Sequence, residues 1–93
     1  MSKVILKGHI IVADSDLIIM QRELVRHIEL TKQEPGCLVF DVDQDKKHAN
    51  KFDIYEEFVD KTAFETHQSR VANSEWGAVT SNVERHYQIV GID

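Results

Sequence analysis

Disulfides, long apolar stretches and a basic surface are all missing from this chain. One cysteine, Cys37, stands among 93 residues, so no internal disulfide can form. No run approaches the ~20 apolar residues that a bilayer span needs. Lys3, followed by a short apolar run that soon meets Lys7, Gly8 and His9, is not the pattern of a secretory signal. These absences point to a cytoplasmic protein that does not engage a membrane. Sixteen acidic residues outweigh eleven basic ones for a formal net charge of −5, and the basic clusters are short, as at Lys46, Lys47 and His48. Phosphate binding needs a concentrated basic face, so nucleic acid is not an expected partner. With four glycines and one proline there is no Gly/Ser linker, and neither a repeat nor a low-complexity tract interrupts residues 1–93. One domain is expected. A chain this short buries only roughly 60–70% of its unfolded surface, so self-association would help it.

What is present alternates between two periods. Val4–Val12 is rich in Val and Ile and reads as a strand; Asp14, Ser15 and Asp16 then offer side chains that cap a helix. From there Leu17, Met20, Leu24 and Ile28 recur at three and four residues, which paints one helical face. Pro35 disfavours helical geometry in the residue before it and Gly36 permits a sharp turn, so the helix should stop near Lys32–Glu34. Cys37–Val42 and Lys51–Phe58 read as two strands joined by the charged turn 43–50. Asp60 should cap a helix over Lys61–Gln68. A third helix is expected within Ser69–Ser81, with Val71, Ala72, Trp76 and Val79 at helical spacing, and Val83–Ile92 returns to strand composition. The order is β-α-β-β-α-β with the second helix split: an α+β, ferredoxin-like arrangement.

Successive strand residues point to opposite faces. Ile10-Ile11-Val12, Leu38-Val39-Phe40 and Ile89-Val90 are therefore apolar on both. One helical layer covers only one face, and each exposed Val, Ile or Phe forgoes on the order of 1.5–3 kcal/mol. A homodimer through the uncovered sheet faces is expected.

Glu34-Pro35-Gly36-Cys37-Leu38, then Phe40-Asp41-Val42, then Phe52 with Tyr55-Glu56, Ala63-Phe64-Glu65-x-His67 and Trp76 form an ordered set. Together these segments resemble the antibiotic-biosynthesis monooxygenase family over nearly the whole chain. The resemblance implies a dimeric α+β barrel. It also implies, for several members, oxidation of quinols or polyphenols by molecular oxygen with no metal or flavin; other members degrade haem or isomerise a small phosphorylated molecule. The haem-degrading branch has a tryptophan where this chain has His67 and a histidine where it has Gly77, which argues against haem chemistry. Where many members carry a second helix histidine and an aromatic, this chain has Ala72 and Asn73.

His67 is the leading catalytic candidate, because it shares a helical face with Ala63 and Phe64 and an imidazole takes a phenolic proton near neutral pH. Its competing role is a packed histidine bonded to a strand. Strand alternation groups Glu56 with Phe52, Ile54 and Phe58, an apolar register in which an unpaired carboxyl has a raised pKa; a paired carboxylate at the dimer interface is its alternative. Tyr55 is the second catalytic candidate, able to hydrogen-bond a substrate oxygen or to sit at an interface rim. His27, Phe40, Asp41, Phe64 and Trp76 complete the candidate substrate pocket, each with a plain structural alternative: helix-boundary solvation for His27 and Thr31, core packing for the aromatics, a sheet-edge charge for Asp41. His9, His48 and His86 show no ligand-like spacing, so no metal site is expected, and the resemblance implies a reaction without a cofactor. The expected partners are a second copy and a small molecule: a phenol or quinol oxidised by oxygen or, in other readings, a carbonyl compound isomerised or a metabolite simply held.

Overall fold

The computed structural model describes residues 3–91. Four strands, β1 (Val4–Ile11), β2 (Cys37–Gln44), β3 (Lys51–Phe58) and β4 (Glu84–Val90), form one antiparallel sheet in the order β2-β3-β1-β4. Helices α1 (Leu17–Lys32), α2 (Lys61–Ala72) and α3 (Glu75–Val79) complete the ferredoxin-like β-α-β-β-α-β order, with the second helix divided. No helix among the described residues is long and apolar enough to cross a membrane.

The core follows the strand parity. Val4, Leu6 and Ile10 of β1, with Phe52, Ile54 and Phe58 of β3, lie under the helices and are almost fully buried together with Met20 of α1. Ile5, Ile11, Val39 and Val90 alternate to the opposite face, where Lys7, Asp41, Asp53 and Glu84 stand among them. That open face is more mixed than the apolar triplets suggested. Leu38 belongs to neither layer: a register shift between Cys37 and Val39 lifts it out, 53% exposed.

The element boundaries depart from the sequence expectation near α1, between α2 and α3, and at β4. Asp14–Asp16 forms a 3-10 turn and Asp16 makes no side-chain cap; Asp14 accepts from Asn50 Nδ2 at 2.8 Å, which ties this turn to the β2–β3 loop. Asp60 does cap α2, accepting from the Ala63 amide at 2.8 Å. Val71 and Ala72 belong to the last turn of α2 and not to the third helix, which Ser74 starts by accepting from the Gly77 amide. A side chain at Gly77 would place a Cβ 2.1 Å from the Val71 carbonyl oxygen, so the tight α2–α3 corner requires glycine. Gly36 has a similar role, since a Cβ there would lie 2.3 Å from the Ala63 Cβ. β4 begins one residue after Val83, and Ile92, expected in this strand, lies outside the described residues.

Candidate active site

Between the helices and the covered sheet face lies a cavity of about 370 Å³. Leu6, Ile10, Phe40, Val42 and Ile54 floor it from the sheet, and Val71 and Trp76 wall it from α2 and α3. Five ionisable side chains enter this shell: His27 from α1, Glu56 from β3, His67 from α2, and Arg85 and Tyr87 from β4, with Gln68 and Thr80 adding neutral polar groups. A mostly apolar hollow with a few convergent polar groups, of a size for a small organic molecule, is what a binding site offers.

Glu56 is the least expected of these. Its neighbours across the ladder are Leu6 on β1 and Phe40 on β2, so the carboxyl stands in an apolar row at the centre of the sheet. It is 7% exposed and its Oε1 has no hydrogen-bond partner. Burial, and then the nearby Glu34 charge, push this carboxyl up to about 8. No arginine pairs with it, and it lies on the helix-covered face, so the alternative of a paired interface carboxylate does not hold.

His67 faces Glu56 across a gap of 3.8 Å, Nε2 to Oε1. Its other nitrogen is held: Nδ1 lies 3.1 Å from both oxygens of Glu34. A carboxylate only accepts, so Nδ1 carries the proton and Nε2 keeps its lone pair. Glu34 is in turn fixed by Arg70 Nε at 2.6 Å, while Arg70 Nη2 donates to Thr31 Oγ1 at 2.9 Å. Burial lowers the His67 pKa below the usual imidazole range, with the Glu34 hydrogen bond opposing it. A neutral base with a fixed tautomer results.

His27 stacks on Trp76, ring centroids 4.6 Å apart at 7°, and meets Phe40 edge-on at 5.3 Å. Burial, followed by the charges of His67 and Arg70, lowers its pKa to about 3, so it stays neutral. Helix-boundary solvation does not describe His27 or Thr31, which are 4% and 0% exposed. The inward stripe of α1 runs Met20, Leu24, His27, Thr31, rotated from the expected one by the polar partners that α2 and α3 supply.

The structure thus brings His67, Glu56, His27, Phe40 and Trp76 together. Tyr55 and Asp41 are not brought there: they pair with each other across β2 and β3 on the opposite sheet face, and the Tyr55 hydroxyl donates to Glu57. Tyr55 therefore cannot act beside His67 within one chain. Phe64 packs edge-on against Phe58 in the core, behind the cavity. Three contributors went unpredicted. Glu34 reads in the sequence as a helix end and the start of the Pro35-Gly36 turn, with no place in the site; Tyr87 and Arg85 sit on β4, whose inward parity becomes visible only through the pairings of Gly8 with Tyr87 and Ile10 with Arg85. Among the described residues no three His, Cys, Asp or Glu side chains form a metal-binding group.

Residues 20–78 match the sequence model of the antibiotic biosynthesis monooxygenase family. No curated protein matches the chain. Among solved structures, a Pseudomonas aeruginosa protein superposes with a TM-score of 0.72 at 25% identity, covering 96% of this chain and 90% of its own. A candidate antibiotic biosynthesis monooxygenase of Deinococcus radiodurans superposes at 0.73 with 24% identity, covering 92% and 88%. A conserved Methanosarcina mazei protein reaches 0.75 at 17% identity over 100% and 95%. At the two lower identities the likeness is one of fold.

Proposed function

The chain belongs to the antibiotic biosynthesis monooxygenase family, and from that premise we propose that it oxidises a small phenolic or quinol-type molecule with molecular oxygen, without a cofactor. The observation that carries this is His67: a buried, neutral imidazole whose Nδ1 is tied to Glu34 and whose Nε2 lines an aromatic cavity. A phenol in that cavity gives its proton to Nε2, and Glu34 steadies the imidazolium that forms. The resulting phenolate is electron-rich enough to pass an electron to oxygen, and the radical pair joins at a ring carbon as a peroxide. Loss of water then leaves a hydroxyquinone. One quinol and one dioxygen become one hydroxyquinone and one water, with all four electrons supplied by the substrate. The protein works as a cytoplasmic homodimer, closed through the sheet face that bears Ile5, Ile11, Val39 and Val90; light scattering that finds only monomer at micromolar concentration contradicts the dimer.

Oxygen uptake by metal-stripped protein on a panel of reduced quinols and polyphenols tests the activity. His67→Ala, still folded by circular dichroism, is expected to lose uptake by about 10²–10⁴-fold. Uptake that survives this substitution, or is absent from the wild type on every substrate, contradicts the proposal. One observation favours a second function. Arg85 reaches the cavity wall, and a cation there suits an anionic carbonyl substrate isomerised by His67. Its guanidinium, however, is engaged by the carbonyls of Thr80 at 2.8 Å and Val83 at 3.4 Å, which ranks the phenol first.

A further inference from the structure

His67 and the Glu34 that orients it account for removing a proton, yet the cavity holds a second ionisable group that this step does not use. Glu56 lines the same cavity, 7% exposed, with no salt-bridge cation, its Oε1 unpartnered and 3.8 Å from His67 Nε2. We propose that Glu56 is the acid of the reaction: it stands protonated in the resting protein and delivers its proton to the departing oxygen when the peroxide collapses to product and water. This assignment rests on the oxygenase chemistry proposed above.

The collapse needs an acid and a base at once. The peroxide anion first formed on the ring carbon takes the phenolic proton back from the His67 imidazolium, which frees Nε2 and gives a hydroperoxide whose ring carbon carries one hydrogen and the –O–OH group. The C–H proton leaves to His67 Nε2, and its electron pair forms the C=O bond. The O–O bond breaks, its pair goes to the distal oxygen, and that OH takes the Glu56 proton and departs as water. The carbon is oxidised by two electrons and the O–O bond reduced by two. His67 is left as imidazolium and Glu56 as carboxylate, an opposite-charge pair that draws together across the 3.8 Å gap to hydrogen-bonding distance, returns the proton and restores the starting state. A base alone would leave hydroxide as the leaving group, which is far poorer.

Surroundings from every element keep Glu56 protonated. Leu6 and Phe40 flank it on the sheet, the helices bring neutral His27 and His67, and the turn before β2 brings the repelling Glu34. On β4, Arg85 is the cation that the described residues bring to the cavity wall, and it makes no salt bridge to Glu56, its guanidinium donating to the Thr80 and Val83 carbonyls; Tyr87 beside it is a phenol whose pKa burial raises. The carboxyl accordingly holds its proton up to about pH 8.

Glu56→Gln keeps the shape and removes the transferable proton. Its expected signature is oxygen consumption that continues while hydroxyquinone yield falls at least tenfold, with peroxide appearing in near-equal amount to the oxygen consumed. Full product yield without peroxide in this variant overturns the assignment and leaves the oxygenase chemistry standing. A second measurement needs neither turnover nor the variant's folding: the pH-difference infrared spectrum of the wild type should show a protonated carboxyl that persists at pH 7. Its absence also overturns the assignment. If the wild type consumes no oxygen, the role of Glu56 falls together with the oxygenase, and a persisting infrared band then shows that the chemistry failed and not the buried acid.

Discussion

The two faces of the sheet carry the same residue types and put them to opposite uses. Glu56 and Glu57 are neighbours in β3. Glu56 turns under the helices into an apolar row and its pKa rises to about 8, whereas Glu57 turns outward, accepts from Tyr55 and Lys3, and its pKa is lowered. His67 lies 3% exposed with its tautomer fixed by the partly buried Glu34 carboxylate; His86 lies half-exposed beside Glu84 and stacks on His9. Tyr87 lines the cavity, Tyr55 the open face. What separates a reactive group from a solvated one here is strand parity, because one step along β3 exchanges a low-polarity surrounding for water.

The largest way to break that contrast is through pH. Unfolded, the Glu56 carboxyl titrates near 4.5; folded, near 8. Between these values the folded chain holds one proton more than the unfolded one, so stability falls as pH rises. His27 runs the other way: folded it titrates near 3 and unfolded near 6.5, so across that range stability rises with pH. The two slopes oppose each other between about 4.5 and 6.5, His67 adding to the rising one, and a net loss remains from about 6.5 to 8. Glu56→Gln removes that loss and should be more stable than wild type near pH 8 by on the order of 2–4 kcal/mol, the gain shrinking toward pH 5. Glu57→Gln should instead lose stability at neutral pH, the difference fading only in acid below the ordinary glutamate range. Urea midpoints at pH 5, 6.5 and 8 read both; a Glu56→Gln gain that does not depend on pH contradicts the buried acid.

Next in size is the part of the contrast that depends on orientation. Glu34→Gln can turn its amide to donate to Nδ1, which favours the tautomer with its proton on Nε2, facing the cavity. The turnover rate is expected to fall by about tenfold or more with KM nearly unchanged. The bell-shaped pH profile should also shift on its His67 limb, a change that a merely structural Glu34 would not produce. Steady-state oxygen uptake against pH measures both quantities.

Much of this was legible in the sequence, and the limits have physical causes. The alternation in β3 placed Phe52, Ile54, Glu56 and Phe58 together, and all four are buried. The same alternation separates Tyr55 from Glu56; what it cannot say is which face lines the cavity, and Tyr55 lies on the face away from it. The α1 stripe was offset because a helix pattern counts apolar residues, whereas His27 and Thr31 are buried by contacts with Trp76 and Arg70 from distant elements. Glu34 meets His67 across 33 positions, through the end of α1 reaching the face of α2. No local spacing records such a meeting. For β4, Glu84 to Gln88 is polar at both parities, so composition gives no inward face until the β1 pairing supplies it.

The two tyrosines supply the smallest and sharpest comparison. Tyr87 lines the cavity from a strand position opposite Gly8, which carries no side chain. Removing its hydroxyl takes away one hydrogen-bonding group that a phenolic substrate can use, so Tyr87→Phe is expected to raise KM by about 2–10-fold, the equivalent of roughly 0.5–1.5 kcal/mol. Tyr55→Phe loses only the bond to Glu57 on the far side of the sheet and should change kcat/KM by less than about twofold. Should Tyr55→Phe prove the more damaging of the two, the substrate would have to sit on the open face, and the assignment of the chemistry to the covered one would be reversed.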